Sequence, residues 1–434
     1  MRYQRRAVLG ITMLAVAGMA MSGCGSSGGG GSADGKVTIT YATSVTANEF
    51  PKGEGPLIEA FQKANPNITV KVEQIPLDNY NTKLTTEFRG GQGPDLGRVN
   101  HTDIQTFAAG GFLEPLDSAI SDNKIAIDSL IPGLVDVGKL AGKQMTLPLT
   151  TDTRALYYNP KLLKSKGIDK PPATWDELLA DVKRFAGGDV YGYGFPTEGD
   201  YSLSYEAVGP YMKGAGGEIL KSDGKSSEGV AAGSAGTVDA VKLFQDLVKT
   251  GAVPPGVDNM KGDTLSQLFS QDKLAFMLGG PWVRSALETN KPDIKYGTDF
   301  VTAPVPVQKA GEPSGSTAGG WQIGVFKNSK NKEAAGKLLA FILERENLIN
   351  LNKPEAFPPL KDGLSTSPWS DDPFYKAFND ILPNAGLPIT PVARMAEVSA
   401  AFQKSVLPSL VDPSKSAEQA LKDFDEQVNT QILN

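Results

Sequence analysis

Few side chains in this 434-residue chain can do nucleophilic, redox or metal chemistry: it has one cysteine, Cys24, and one histidine, His101. A lone cysteine rules out an internal disulfide, a paired redox motif and a thiolate zinc site. A lone imidazole removes most metal-ligand and nucleophile–base arrangements. Carboxylate chemistry remains, drawn from 49 Asp and Glu, as does binding through hydrogen bonds and aromatic faces. Asp103, Asp152, Asp200 and Glu206 are candidate acids, but no local motif pairs an acid with a nucleophile as glycoside hydrolysis requires. No calcium-loop spacing and no GxxxxGK[ST] phosphate loop is visible, so neither a metal nor another cofactor is expected. The formal charge of −6 argues against a nucleic-acid partner, which needs a positive face.

Strand-like and helix-like segments alternate along the chain. Val37 to Tyr41 has the period of a strand, Leu57, Ile58, Phe61 and Ala64 form a helical stripe ended by Asn65-Pro66, and Ile68, Val70 and Val72 form a second strand. Asp78 is placed to N-cap a helix carrying Tyr80, Leu84 and Phe88, and Asp95 to Asn100 reads as a third strand. This β-α-β-α-β order predicts right-handed crossovers and a largely parallel sheet. Later, Thr174 and Glu177 form a capping box for a helix through Phe185. Strands are expected at Tyr191–Phe195 and Lys273–Leu278, and helices around Val238–Leu247, after Pro281, and at Asn331–Asn350, Ala396–Leu407 and Ser416–Leu433. The prolines and glycines of 301–320 suggest a segment crossing between lobes. In an open α/β sheet, ligands sit beyond the carboxyl ends of the strands. That points to Thr43-Ser44, Asn100-His101 and the neighbourhood of Asp152.

The N-terminus is an address. Arg2, Arg5 and Arg6 precede an uncharged run from Ala7 to Met21, the pattern of a secretory signal, and the run is shorter than the roughly 20 residues that span a bilayer as a helix. Met21-Ser22-Gly23-Cys24 resembles the bacterial lipobox, with Met where Leu is usual. It implies cleavage after residue 23, lipidation of Cys24 and a Gly/Ser tether over 24–35. The alternative is a secreted protein whose cysteine falls there by chance. Arg5-Arg6 leaves twin-arginine export open beside the general secretory route. Cleavage takes the charge to −9, so lipid and not polybasic attraction would hold the protein at the outer face of the cell membrane.

The passage Ala60 to Val70, the loop Gly93-Pro94-Asp95, Gly111 to Asp117, and Leu147-Pro148 leading to Leu156–Asn159 come in an order that resembles the family 1 extracellular solute-binding proteins. Pro172 to Leu178, Met277 to Trp282, and Gly319-Gly320-Trp321 continue the likeness. The family includes carbohydrate receptors of ABC importers. The resemblance implies a two-lobed α/β fold of the periplasmic-binding-protein type, with a ligand cleft between the lobes. Lobe 1 would hold 36–150 plus 315–357, and lobe 2 would hold 151–314 plus 358–434. It implies a sugar or oligosaccharide ligand, an ABC permease as partner, and no catalysis; a monomer is expected.

Carried over residue by residue, the family places ligand contacts at the same turns. Asp152 matches a binding carboxylate, which can accept two sugar hydroxyls, and otherwise is a loop acid or cap. Asn100 and His101 either bind ligand or cap a helix near Thr102. Trp282 matches a sugar-stacking tryptophan, with core packing as the alternative, and Trp321 is balanced between the two roles. Tyr201 and Tyr205 lie on a stretch that faces the cleft in relatives, though either could be core. Arg284 and Arg394 read as surface ion pairs, and Trp175 and Trp369 as structural. The competing class is a secreted, tethered glycoside hydrolase.

Overall fold

The computed structural model describes residues 36 to 433, except Asn48, Asp200, 223–225, Pro354, Glu355, Pro388, Ile389, Pro413 and the side chain of Asp78. Cys24 and the rest of the leader and tether lie outside the described residues. Val37–Thr43 pairs in parallel with Ile68–Gln74 along its whole length, and with Leu96–Asn100 from Tyr41 onward. The connecting helices are Glu54–Ala64 and Leu77–Arg89, which bury Leu57, Ile58 and Phe61, and Tyr80, Leu84 and Phe88. The second starts after Pro76, whose extended backbone (ψ 138°) occupies the cap position, so Asp78 sits inside the first turn instead of capping it.

Within their sheet only these three strands are parallel to one another. Trp321–Val325 joins Leu96–Asn100 antiparallel, and Leu147–Pro148 completes this first sheet, also antiparallel. The late strand returns from the opposite end because the chain has meanwhile built a second sheet. That sheet runs in the order Val301–Ala303, Ala155–Tyr158, Leu274–Gly279, Tyr191–Gly194, and only its last pair is parallel. Sequence periodicity identifies strands but not their direction, so the expected largely parallel sheet becomes two mixed ones.

The chain leaves the first sheet after Pro148 and enters the second at Ala155, then comes back between Ala303 and Trp321. The two passages meet: Asp152–Thr153 pairs antiparallel with Ser316–Gly319, with Gly319 opposite Asp152. Phe357 bridges to Thr151 beside them. The expected helix 331–350 is two, Lys332–Ile342 and Arg345–Asn352, because Glu344 turns extended (ψ 139°) between them. The tail helix Ala417–Gln427 widens into a π-turn over Val428–Ile432, and the capping-box helix stops at Lys183. Among the described residues no helix is long and apolar enough to cross a membrane.

Candidate functional site

The loops at the strand ends of the two sheets meet. Asn100 ends its strand opposite Trp321, and its side-chain carbonyl accepts from the backbone N–H (3.1 Å) and hydroxyl (2.8 Å) of Thr102. It thus organises the turn ahead of the short helix Ile104–Ala109. His101 sits in that turn with Nδ1 2.9 Å from the carbonyl oxygen of Gly320. Burial pushes its imidazole down to about 4, with the nearby Arg154 adding to the effect, so the ring is neutral at physiological pH.

From the second sheet, the chain after Tyr191–Gly194 winds into a π-turn over Ser202–Ala207, which brings Tyr201 and Tyr205 to the same place. Such wide turns recur at functional sites because they tilt side chains off the regular helical pitch. The Tyr205 ring meets His101 edge-on at 5.2 Å and Tyr201 at 5.8 Å. The hydroxyl of Tyr201 donates to Asp103 Oδ1 at 3.1 Å, joining a loop of the first sheet to one of the second. Asp103 also accepts from Asn81 (2.5 Å) and Thr102 (3.2 Å), all neutral donors. Burial outweighs these bonds and pushes its carboxyl up to about 6.

Beside these groups runs a line of buried charges. Glu54, at the start of Glu54–Ala64, faces Arg98 at 3.6 Å and accepts from the Tyr41 hydroxyl at 2.8 Å. The Arg98 guanidinium lies 4.6 Å from the Trp321 ring centre, and Tyr80 meets the same indole edge-on at 5.8 Å. Asp152 Oδ1 accepts from Arg154 at 2.6 Å. Arg154 also grips Glu206 with two bonds, one of them 3.0 Å, and its guanidinium lies 5.1 Å from the Trp282 ring centre. Burial pushes Asp152 up to about 6 although Arg154 pulls the other way. Each half-buried tryptophan therefore leans on an arginine that is itself neutralised by carboxylates, an arrangement worth up to about 2 kcal/mol per contact where water is excluded.

Three glycines make room for this. A β-carbon on Gly319 would stand 2.2 Å from Asp152 Oδ1, and one on Gly320 2.3 Å from the Thr150 carbonyl, where φ is also +131°. On Gly280 it would stand 1.9 Å from the Trp282 ring, which folds back over that residue.

Seven of the nine expected ligand residues therefore fall into one connected set: Asn100, His101, Asp152, Tyr201, Tyr205, Trp282 and Trp321. The Thr43 hydroxyl is buried and accepts from the Val45 N–H at 3.1 Å, with Ser44 half-buried beside it. Arg284 pairs with Glu288 and Asp372, and Arg394 with Glu397. Trp175 and Trp369 are buried and donate to backbone carbonyls of Pro306 and Ala356. Sequence reasoning missed Glu54, Arg98 and Arg154. Two signals were available: an arginine inside the otherwise uncharged strand Leu96–Asn100, and Asp152 and Arg154 two apart, hence on one strand face. Two surface recesses, of about 500 and 510 Å³, lie elsewhere, around Thr174 and Val305 and around Gln245 and Leu410.

Two mixed α/β sheets whose loops bring polar and aromatic groups together have the architecture of a two-lobed binding protein. Residues 47–348 match the family described as bacterial extracellular solute-binding protein, and the chain belongs to that family. A binding protein of Brucella abortus (strain 2308) is 31% identical over 360 residues, covering 79% of this chain and 82% of that one. The maltodextrin-binding protein of Bacillus subtilis (strain 168) is 29% identical over 73% of this chain and 71% of its own. The crystal structure of an ABC-transporter solute-binding protein from Thermotoga lettingae, bound with α-D-tagatose, superposes with a TM-score of 0.80 at 26% identity, covering 92% of this chain and all of that one.

Proposed function

We propose that this chain captures a sugar or oligosaccharide between its lobes and delivers it to the permease of an ABC importer, without catalysing a reaction. The carrying observation is the pair of tryptophans, Trp321 on a strand of the first sheet and Trp282 at the start of the helix that follows strand Leu274–Gly279 of the second, each backed by a neutralised arginine. A pyranose offers apolar C–H faces to such rings while its hydroxyls take up directed hydrogen bonds. Asn100, His101, Asp152, Tyr201, Tyr205, Trp282 and Trp321 are the proposed contacts, with Thr43 and Ser44 at the edge. The sugar-binding relatives support the ligand class.

Lobe closure gains population because the ligand touches both walls only in the closed form. We place lobe 1 at 36–150 plus 315–357 and lobe 2 at 151–314 plus 358–434. The anchor would be Cys24, bearing lipid after removal of residues 1–23, on a monomeric receptor at the outer membrane face. A hydrolase reading is disfavoured because Asp152 and Glu206 both grip Arg154, an arrangement that holds them in place and leaves neither poised across a glycosidic bond. Thermal-shift measurement against mono- and oligosaccharides, amino acids and peptides tests the reading. A neutral sugar should raise the melting temperature with dose. Stabilisation by a peptide or polyamine alone would contradict it, and glycan cleavage lost in Asp152→Asn would restore the hydrolase.

A further inference from the structure

Almost every polar atom around the meeting point of the two sheets is already engaged. Asn100 is held by Thr102, Asp103 by Asn81, Thr102 and Tyr201, and Asp152 by Arg154. The buried atoms with no hydrogen-bond partner among the described residues include Glu54 Oε2, Arg98 Nε, Ser316 Oγ, Nε2 of His101 and the hydroxyl of Tyr205. The last two belong to rings in edge-to-face contact at 5.2 Å, one carried by each sheet's loops. An unpartnered buried polar atom costs about 1–3 kcal/mol, so two on touching rings need an explanation.

The proton inventory of the pair is fixed by its neighbours. A carbonyl oxygen only accepts, so His101 Nδ1, 2.9 Å from the Gly320 oxygen, carries the ring hydrogen. Nε2 is then a bare lone pair that can only accept. Burial holds the Tyr205 phenol protonated, so it has a hydrogen to donate. A single group that meets both atoms has to donate to the nitrogen and accept from the oxygen. A hydroxyl does both. A carboxylate or phosphate offers Nε2 only lone pairs, and an ammonium offers Tyr205 nothing to accept with.

We propose that His101 and Tyr205 form a subsite that reads one neutral hydroxyl of the ligand: its O–H donates to Nε2 of His101, and its oxygen accepts from the Tyr205 hydroxyl. This rests on the sugar reading above and narrows it, because the pair reads a hydroxyl of the ligand and not a carboxylate, phosphate or ammonium group. It also gives the crossing segment a part in recognition, since the Gly320 carbonyl sets the imidazole tautomer.

The chain's single histidine makes the test direct. Full-length protein labelled with ¹⁵N at histidine is observed by imidazole NMR at pH 7.5, free and with whichever of maltotriose, trehalose, raffinose or cellotriose raises its melting temperature. The free protein should show hydrogen on Nδ1 and none on Nε2. Added sugar should move the Nε2 resonance toward that of a hydrogen-bonded acceptor and leave Nδ1 nearly still. His101→Phe and Tyr205→Phe should each weaken that sugar by at least about tenfold, with His101→Gln intermediate because it keeps an acceptor. Hydrogen found on Nε2, or a stabilising sugar that leaves Nε2 unmoved, overturns the subsite while the sugar reading stands. If none of these sugars stabilises the protein but a peptide does, both fail.

Discussion

Arg154 meets Asp152, Glu206 and the face of Trp282 at once, so its loss would strand two carboxylates and release an indole. Arg154→Met should destabilise the protein by about 3 kcal/mol or more in urea titrations, since removing one partner of a buried pair leaves the other charge uncompensated. Asp103 behaves differently, having only neutral donors around it and a carboxyl pushed up to about 6. Its unfolded value lies near 3.8. The folded protein therefore takes up this proton first, and Asp103 adds stability as pH falls from about 7 to 4 and loses it as pH rises through 6. His101, pushed down to about 4, works in the opposite sense, costing stability as pH falls from about 6.5. Comparing melting temperatures of wild type and Asp103→Asn isolates the first term: the variant should gain on wild type as pH is raised from 5 to 7.5. A constant difference across that range would mean that Asp103 does not titrate there.

At the scale of elements, the crossing strands and the turn before Trp282 depend on absent side chains. Gly320→Ala places a β-carbon against the Thr150 carbonyl at a φ of +131°, and should cost about 2 kcal/mol or more in denaturant midpoints. Gly280→Ala meets a side chain that can swing away, so it should leave the fold stable but displace Trp282 and weaken ligand by titration calorimetry. Helices and strands were legible in the sequence, because period and caps follow from residues a few places apart. Thr174, for instance, does cap through its hydroxyl to the Glu177 N–H. Strand direction was not legible, since the pairing of Trp321–Val325 with Leu96–Asn100 joins residues more than two hundred apart. The strand-end rule located Asn100, His101 and Asp152. It did not reveal that Arg98 and Arg154 lie behind the tryptophans, because the contacts of Arg98 with Trp321 and of Arg154 with Trp282 join residues more than a hundred apart.

For the whole molecule, the hydrogen bond from Tyr201 to Asp103 and the ring contact between His101 and Tyr205 span the two sheets. Contacts between the lobes can be few in such a receptor, since a ligand shifts the equilibrium only by what it gains from touching both walls. The proposed ligand stacks on Trp321 and Trp282. Titration calorimetry of a stabilising neutral sugar against wild type, Trp282→Ala and Trp321→Ala tests this most directly. Each substitution should weaken binding by at least about tenfold, the loss of one stacking face. Full affinity retained by both variants would contradict it.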